Sequence, residues 1–235
     1  MSSSADLETE QNSVLVSWSG GKDSCMALQE ILRRPDIRVE ALLTTVTDDY
    51  DRISMHGVRR ALLERQAKSL RLPLQQVRIS KGATNEEYER NTAAILTRYY
   101  DRGIRSVAFG DLFLEDIRAY RQRLLAGLGM SGIYPLWQRD TAALIRNFVN
   151  DGFKTAIVCL GPNKLDPSFA GRVIDHRFLQ DLPPGVDPCG ENGEFHTFVF
   201  DGPLFASPVK FSFGEVVCRD GFWFCDLIPD AQDQD

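Results

Sequence analysis

The stretch Val14-Leu15-Val16-Ser17-Trp18-Ser19-Gly20-Gly21-Lys22-Asp23-Ser24-Cys25 decides how this chain folds. An apolar run enters a glycine turn, and beyond it Cys25, Leu28 and Leu32 recur at helical spacing until Pro35. That pattern reads as a buried strand, a tight turn and a helix. Two adjacent glycines remove Cβ atoms from the turn and leave amide N–H groups open at a helix N-terminus. The helix dipole and the Lys22 ammonium add positive potential, and Ser19 and Ser24 add hydroxyl donors. The turn is therefore a pocket for a pyrophosphate-like anion. Asp23 is out of place there unless it caps the helix or contacts a metal. The mononucleotide signature GxxxxGK[ST] is absent, because the glycines are adjacent and Lys22 is followed by Asp23. GxGxxG is absent from this turn as well.

Working outward, further strands are predicted at Val39 to Val46, Leu74 to Ile79 and Ser106 to Phe109. Helices are predicted at Val58 to Leu70, at Asn85 to Tyr100 behind a Thr84 cap, and at about Glu115 to Leu128. This alternation predicts an α/β fold, a parallel twisted sheet with helices on both faces. In such sheets ligands sit outside the carboxyl ends of the strands. Ser19-Gly20-Gly21, the Thr44-Thr45-Val46 region and Gly110-Asp111 all fall at those ends. A carboxylate at such a strand end, Asp111, is expected to hold a Mg²⁺ ion on the bound pyrophosphate.

Beyond Gly129 the texture changes. A helix near Thr141 to Val149 and a strand at Thr155 to Leu160 precede a Pro- and Gly-dense stretch from Gly161 to Gly193. The last segments, Phe195 to Phe200, Val209 to Cys218 and Phe222 to Ile228, read as antiparallel, with Arg219-Asp220-Gly221 as a hairpin turn. The expected organisation is a disordered tail over residues 1–11, an ATP-binding domain over 12–129, and a smaller α+β substrate-binding domain over 130–235. Internal repeats and low-complexity tracts are absent.

The chain has 235 residues, 43% hydrophobic and 26% charged, an ordinary balance for a soluble globular protein. No apolar run reaches the ~20 residues needed to span a bilayer, and the polar start lacks the pattern of a signal peptide. The net charge of −6, with scattered Lys and Arg, argues against a dedicated nucleic-acid binder. Five cysteines, with no CxxC pair, suit a reducing cytoplasm.

A second motif is Asp187-Pro188-Cys189-Gly190-Glu191-Asn192-Gly193-Glu194-Phe195-His196-Thr197. Carboxylates, an amide and an imidazole crowd within six residues, from Glu191 to His196. If a strand follows, Glu194 and His196 share a face. Such a pair suits proton transfer near neutrality or the orientation of an amine. The plain alternative is a capped hairpin with charges facing water. His56 reads either as a cap or as a substrate contact. Arg59 and Arg60 read either as surface residues or as a phosphate or carboxylate grip. His176 reads as structural, at a helix start, and Cys189 reads either as a thiol nucleophile or as a small loop residue.

Ser19 to Ser24 resembles the signature of the N-type ATP pyrophosphatases, the PP-loop superfamily. More narrowly, Gly190 to Val199 followed by Asp201-Gly202-Pro203-Leu204-Phe205 resembles the diphthine–ammonia ligase (diphthamide synthase) family and its prokaryotic relatives. The two motifs span residues 14 to 205. The resemblance implies cleavage of ATP to AMP and pyrophosphate, an adenylated carboxylate, and displacement of AMP by ammonia to give an amide. In the diphthamide case the acceptor is a modified histidine on translation elongation factor 2. The tracts Arg52 to Arg59 and Gly110 to Asp116 look more like the prokaryotic relatives. The site so implied comprises Ser19, Gly20, Gly21, Lys22, Asp23, Ser24, Thr44, Thr45, Val46 and Gly110 for the nucleotide. Lys22, Asp23, Glu191, Glu194 and His196 are expected to serve the chemistry, and His56, Asn192, Glu194 and His196 the acceptor. No glutaminase segment is evident, so free ammonia is the expected nitrogen donor. Two alternatives stand beside this: a nucleotide sensor of the same fold without turnover, and sulfur transfer to tRNA. The second is disfavoured by the absence of a CxxC site and of a basic surface.

Overall fold

The computed structural model describes residues 12–53 and 57–231. The tail expected over residues 1–11, and His56, lie outside the described residues. The N-terminal part runs β1 (Asn12–Ser17), α1 (Lys22–Leu32), β2 (Ile37–Thr47), β3 (Arg52–Ile53), α2 (Arg60–Leu70), β4 (Leu74–Ile79), α3 (Asn85–Asp101), β5 (Ser106–Ala108), α4 (Glu115–Ala126) and β6 (Ser131–Ile133). It continues with α5 (Thr141–Asn150), β7 (Lys154–Leu160), α6 (His176–Asp181), β8 (Phe195–Asp201), β9 (Phe211–Arg219) and β10 (Phe222–Pro229).

β1 is flanked by β2 and β5, β2 by β4, and β5 by β6, all in parallel. Short β3 returns antiparallel on the end of β2, completing a six-stranded sheet. Alternation along β1 explains why both faces are covered. Val14 and Val16 enter one core, and Leu15 enters another with Ala41, Val77, Ile95 and Val107. β6 lies just past residue 130, and pairing with β5 places it on this first sheet. Thr84 caps α3, its hydroxyl accepting from the Glu87 N–H at 3.2 Å.

The second sheet is antiparallel, in the order β8-β7-β10-β9. The turn between β9 and β10 has Asp220 and Gly221 at φ of 51° and 82°, the positive pair that a tight two-residue hairpin requires. The two halves share one core. Val14, Val16, Leu28 and Leu63 of the first pack in one cluster with Phe148, Ile157, Phe195, Phe198 and Leu227 of the second. Each such buried side chain contributes about 1.5–3 kcal/mol, so this shared interior holds the sheets in a fixed relation. That relation brings β8 against the glycine turn after β1.

Candidate functional site

The turn and α1 begin where β1 ends. Gly20 has φ of +79°, and a Cβ there would stand 2.7 Å from Gln66 Oε1, so no other residue fits. The Ser24 hydroxyl donates to the Gly21 carbonyl at 2.9 Å, and the Gly21 N–H donates to Ser19 Oγ at 3.3 Å. Gly21 is the N-cap residue and provides no side-chain cap. Asp23 takes no capping role either, which corrects one of the two readings of that residue: its carboxylate pairs with Lys22 Nζ at 2.9 Å. Lys22 is only 2% exposed and lies 5.2 Å above the ring of Phe195. Burial pulls its pKa down, but the anionic groups around it, Asp23 foremost, outweigh that and hold it cationic. Asp23 is pushed up by burial against the pull of Lys22.

The C-terminal half closes on this turn through backbone and hydroxyl contacts. The Lys22 N–H donates to Thr197 Oγ1 at 3.0 Å, and the Val199 N–H donates to the Gly20 carbonyl at 2.9 Å. Gln66, fully buried on α2, donates to both the Gly20 and Val199 carbonyls while its own Oε1 accepts from the Trp18 indole at 3.1 Å. Neither Gln66 nor Thr197 was expected at the site. Gln66 had a signal: it is a polar side chain on the apolar stripe of Leu62, Leu63 and Ala67.

The β5 end arrives alongside. A Cβ on Gly110 would stand 2.6 Å from the Asp23 backbone, so this glycine serves close packing of β5 against the first turn of α1. Asp111, 8% exposed, pairs with Arg121 at 2.8 Å. Burial and the Asp23 charge raise its pKa against the pull of Arg121 and Arg118. Asp23 Oδ1 and Asp111 Oδ2 are buried without a partner. Leaving such a buried group unsatisfied costs about 1–3 kcal/mol each, strain of the sort that marks a ligand position.

The loop from Asp187 folds on itself. Asp187 Oδ2 accepts from the Glu191 N–H at 2.8 Å, and Glu194 Oε1 accepts from the Asp187 N–H at 3.2 Å and from the exposed Asn192 amide at 3.3 Å. Glu194 is 4% exposed, so it and Asn192 brace the loop. Glu191 crosses to the first half, accepting from the Leu112 N–H at 3.0 Å. Burial, with Asp23 adding repulsion, pushes its pKa up to about 7. His196 goes the other way. Burial, reinforced by the Lys22 charge, lowers it to about 4, so it is neutral at physiological pH. The expectation that His196 titrates near neutrality is corrected accordingly, and Glu191 is the group brought into that range. Cys189 is buried, its thiol donates to the Thr141 carbonyl, and burial pushes its pKa well up, which supports the small-loop-residue reading over the nucleophile.

On the β2 side, the register with β1 ends at Ser17 opposite Leu43, and β3 pairs only from Val46 onward. Thr44 is buried with its hydroxyl unpartnered, and the Val46 side chain is buried. Arg59 and Arg60 do not form an anion grip. Arg59 pairs with Asp226 at 2.6 Å, beside Arg52 at 3.0 Å, and Arg60 pairs with Asp51. His176 starts α6 behind the Asp175 cap, as expected of a structural residue. Among the described residues no group of three or more His, Cys, Asp or Glu is arranged to hold a metal. None of the described helices is long and apolar enough to cross a membrane.

A parallel sheet whose glycine turn opens on a buried lysine, with carboxylates gathered from two further loops, defines the PP-loop class of ATP-using enzymes. The diphthamide synthase N-terminal domain matches residues 12–132 and the diphthamide synthase C-terminal domain matches residues 140–227. The chain belongs to the diphthamide synthase family, and it is an ATP-dependent ligase. It is similar to the diphthine–ammonia ligase of Homo sapiens, 24% identical over 89% of this chain and 86% of that protein. The Danio rerio diphthine–ammonia ligase is 28% identical over 85% of this chain and 86% of its own length. The Schizosaccharomyces pombe protein of the same name is 26% identical over 89% of this chain, which spans 38% of that longer relative.

Proposed function

We propose that this enzyme adenylates a carboxylate with ATP and transfers the acyl group to ammonia, with diphthine, the substrate named in its relatives, as the acceptor. The observation that carries this reading is the meeting of three loops. The Ser19–Ser24 turn, Asp111-Leu112 and Glu191 converge through the Leu112–Glu191 hydrogen bond and the mutual charge effects of Asp23, Asp111 and Glu191. In the first step an acceptor carboxylate oxygen attacks the α-phosphorus and pyrophosphate leaves, its charge met by the turn's amides, hydroxyls and Lys22. In the second step ammonia attacks the acyl carbon, the resulting ammonium loses a proton, and AMP departs with the bonding electrons. Glu191, ionised in about half the molecules near pH 7, is the group matched to accept that proton. His196, neutral, and Asn192 and Glu194, which brace the loop, position the acceptor side.

The carboxyl end of β2 at Thr44 and Thr45, beyond the end of β1 and with the Thr44 hydroxyl unpartnered, suits adenine. Mg²⁺ fits the two orphaned oxygens, Asp23 Oδ1 and Asp111 Oδ2, since this ion takes one or two carboxylates and fills its shell with phosphates and water. Bound there, it would offset phosphate charge. Residues 12–129 are the nucleotide-binding unit in this reading and 130–235 the acceptor unit, with β6 contributed back to the first sheet. The setting is cytoplasmic. Sulfur transfer to tRNA finds no support in the cysteines: Cys25, Cys159 and Cys189 are buried with their thiols pushed up.

The test is product analysis with ATP labelled at the α and γ positions, Mg²⁺, ammonium and diphthine-bearing elongation factor 2. AMP and pyrophosphate, dependent on the acceptor, are expected. ADP and phosphate would refute the mechanism, and tight ATP binding without cleavage would instead support the sensor reading.

A further inference from the structure

Across β1 from β2, at the carboxyl ends of β5 and β6, lies a cluster that the steps above do not use. Phe109 and Tyr134 stack at 5.6 Å with their planes 19° apart, and Trp137 meets Tyr134 edge-on at 6.2 Å. Two arginines from α4 lie on this aromatic platform. Arg121 sits 4.5 Å over Phe109 and is neutralised by Asp111. Arg118 sits 4.9 Å over Tyr134 and 4.4 Å over Trp137, and among the described residues it has no carboxylate in ion-pair contact. Its Nε and the Tyr134 hydroxyl are both buried without a partner. Burial pushes the pKa of that hydroxyl up, so it stays a donor.

A guanidinium held against two aromatic rings, Tyr134 and Trp137, is restrained in position, and its fork of N–H donors suits a carboxylate. Arg118 feels the Asp111 charge without pairing with it, and a guanidinium with an unsatisfied Nε next to a second unsatisfied donor suits an oxyanion from outside the chain. The sheet order says which one. With adenine at the carboxyl end of β2 and the phosphates over β1, reaching β5 only through Asp111, the β6 flank is left to the second substrate.

We infer that Arg118 and the Tyr134 hydroxyl form the subsite that receives the acceptor's carboxylate and aligns it for adenylation. This rests on the ligase reading above. It makes Arg118 a residue that binds and orients the acceptor, with Tyr134 and Trp137 holding its guanidinium in place.

Two measurements test it. In AMP-release kinetics with diphthine-bearing elongation factor 2, Arg118→Met is expected to raise the acceptor KM at least about tenfold, while the ATP KM stays within about twofold. Arg118→Lys, which keeps the charge and loses the fork, should recover only part of the loss. Tyr134→Phe gives the same split on a smaller scale and serves if Arg118→Met fails to fold. A parallel rise in the ATP KM would overturn the assignment. The second measurement needs no turnover. The indole N–H resonance of Trp137, in protein saturated with a non-hydrolysable ATP analogue, is followed during titration with acetate. A saturable shift in the wild type that Arg118→Met abolishes supports a carboxylate subsite. No saturable shift overturns it, as does a shift produced by the nucleotide analogue that leaves acetate without effect. If the wild type forms no AMP with this acceptor, the ligase reading falls, and the acetate titration still decides the subsite.

Discussion

The two loops that meet at the site, Ser19–Ser24 and Asp187–Thr197, are both rich in glycine and charge, yet they use these residues in opposite ways. The first turns its polar groups toward a ligand. Its glycines admit close neighbours, its helix begins without a side-chain cap, and Asp23 keeps an unsatisfied oxygen. The second turns most of its polar groups upon itself. Asp187, Asn192 and Glu194 hydrogen-bond within the loop, Cys189 is sealed, and His196 is held neutral. Glu191 and Thr197 reach across, to the Leu112 and Lys22 N–H groups. Crowding of reactive residue types in sequence therefore does not measure how many of them face a substrate. Burial and local hydrogen bonds sort them.

The largest effect expected from breaking this contrast is at Lys22. Lys22→Met keeps the buried stem and removes the charge; AMP release should fall about 10²–10³-fold, as when a preorganised donor is lost. Radiolabelled product analysis checks it, with thermal melting to show that the protein still folds. Next is Glu191→Gln, which retains an oxygen for the Leu112 N–H. Turnover should drop about 10²-fold, and the rise in kcat/KM through pH 7 should vanish.

The same substitution carries a stability signature. A carboxyl whose folded pKa is raised, from 4.5 to about 7 here, holds its proton longer in the folded state than in the unfolded chain. Its contribution is fully present below about pH 4.5 and is lost as pH rises through 7. Relative to Glu191→Gln, the wild type should therefore lose about 1–3 kcal/mol between those values, measurable by urea unfolding across pH. A flat difference would show that Glu191 is solvated, like an ordinary loop carboxylate.

Gln66→Leu tests whether the two loops are held together by a single buried amide. It leaves the Trp18 N–H unpartnered and takes one donor from each of the Gly20 and Val199 carbonyls, so a loss of about 2 kcal/mol is expected in chemical denaturation, with a weaker ATP affinity. The smallest effect belongs to His196→Gln. Activity should change less than about threefold between pH 6 and 8, because a histidine that titrates near 4 has no proton to exchange there. A lost inflection near pH 6.5 in that variant would restore the imidazole as an acid–base group.

Much of this arrangement was legible in the residues. Period-two and period-3.6 patterns placed the strands and helices to within a few residues, and Thr84 and the Asp220-Gly221 turn announced themselves by type. The short β3 and β6 were not legible, because two or three residues carry no periodicity and are strands only through their neighbours. Nothing in the sequence distinguishes Arg118 and Arg121 from ordinary helix-surface arginines. Their significance comes from Phe109, Tyr134 and Trp137, which lie on other elements.

By itself, then, the sequence determined the glycine turn, the alternation that makes a parallel sheet, and the family signature in the second motif, since each depends on residues close along the chain. The tertiary structure decided which charged groups are buried, paired or left open. Those properties belong to contacts between segments far apart in sequence: Gln66 with Gly20 and Val199, Thr197 with Lys22, Leu112 with Glu191. Desolvation and Coulomb interaction depend on distance in space, and that is why Glu191 rather than His196 is the group that titrates near neutrality.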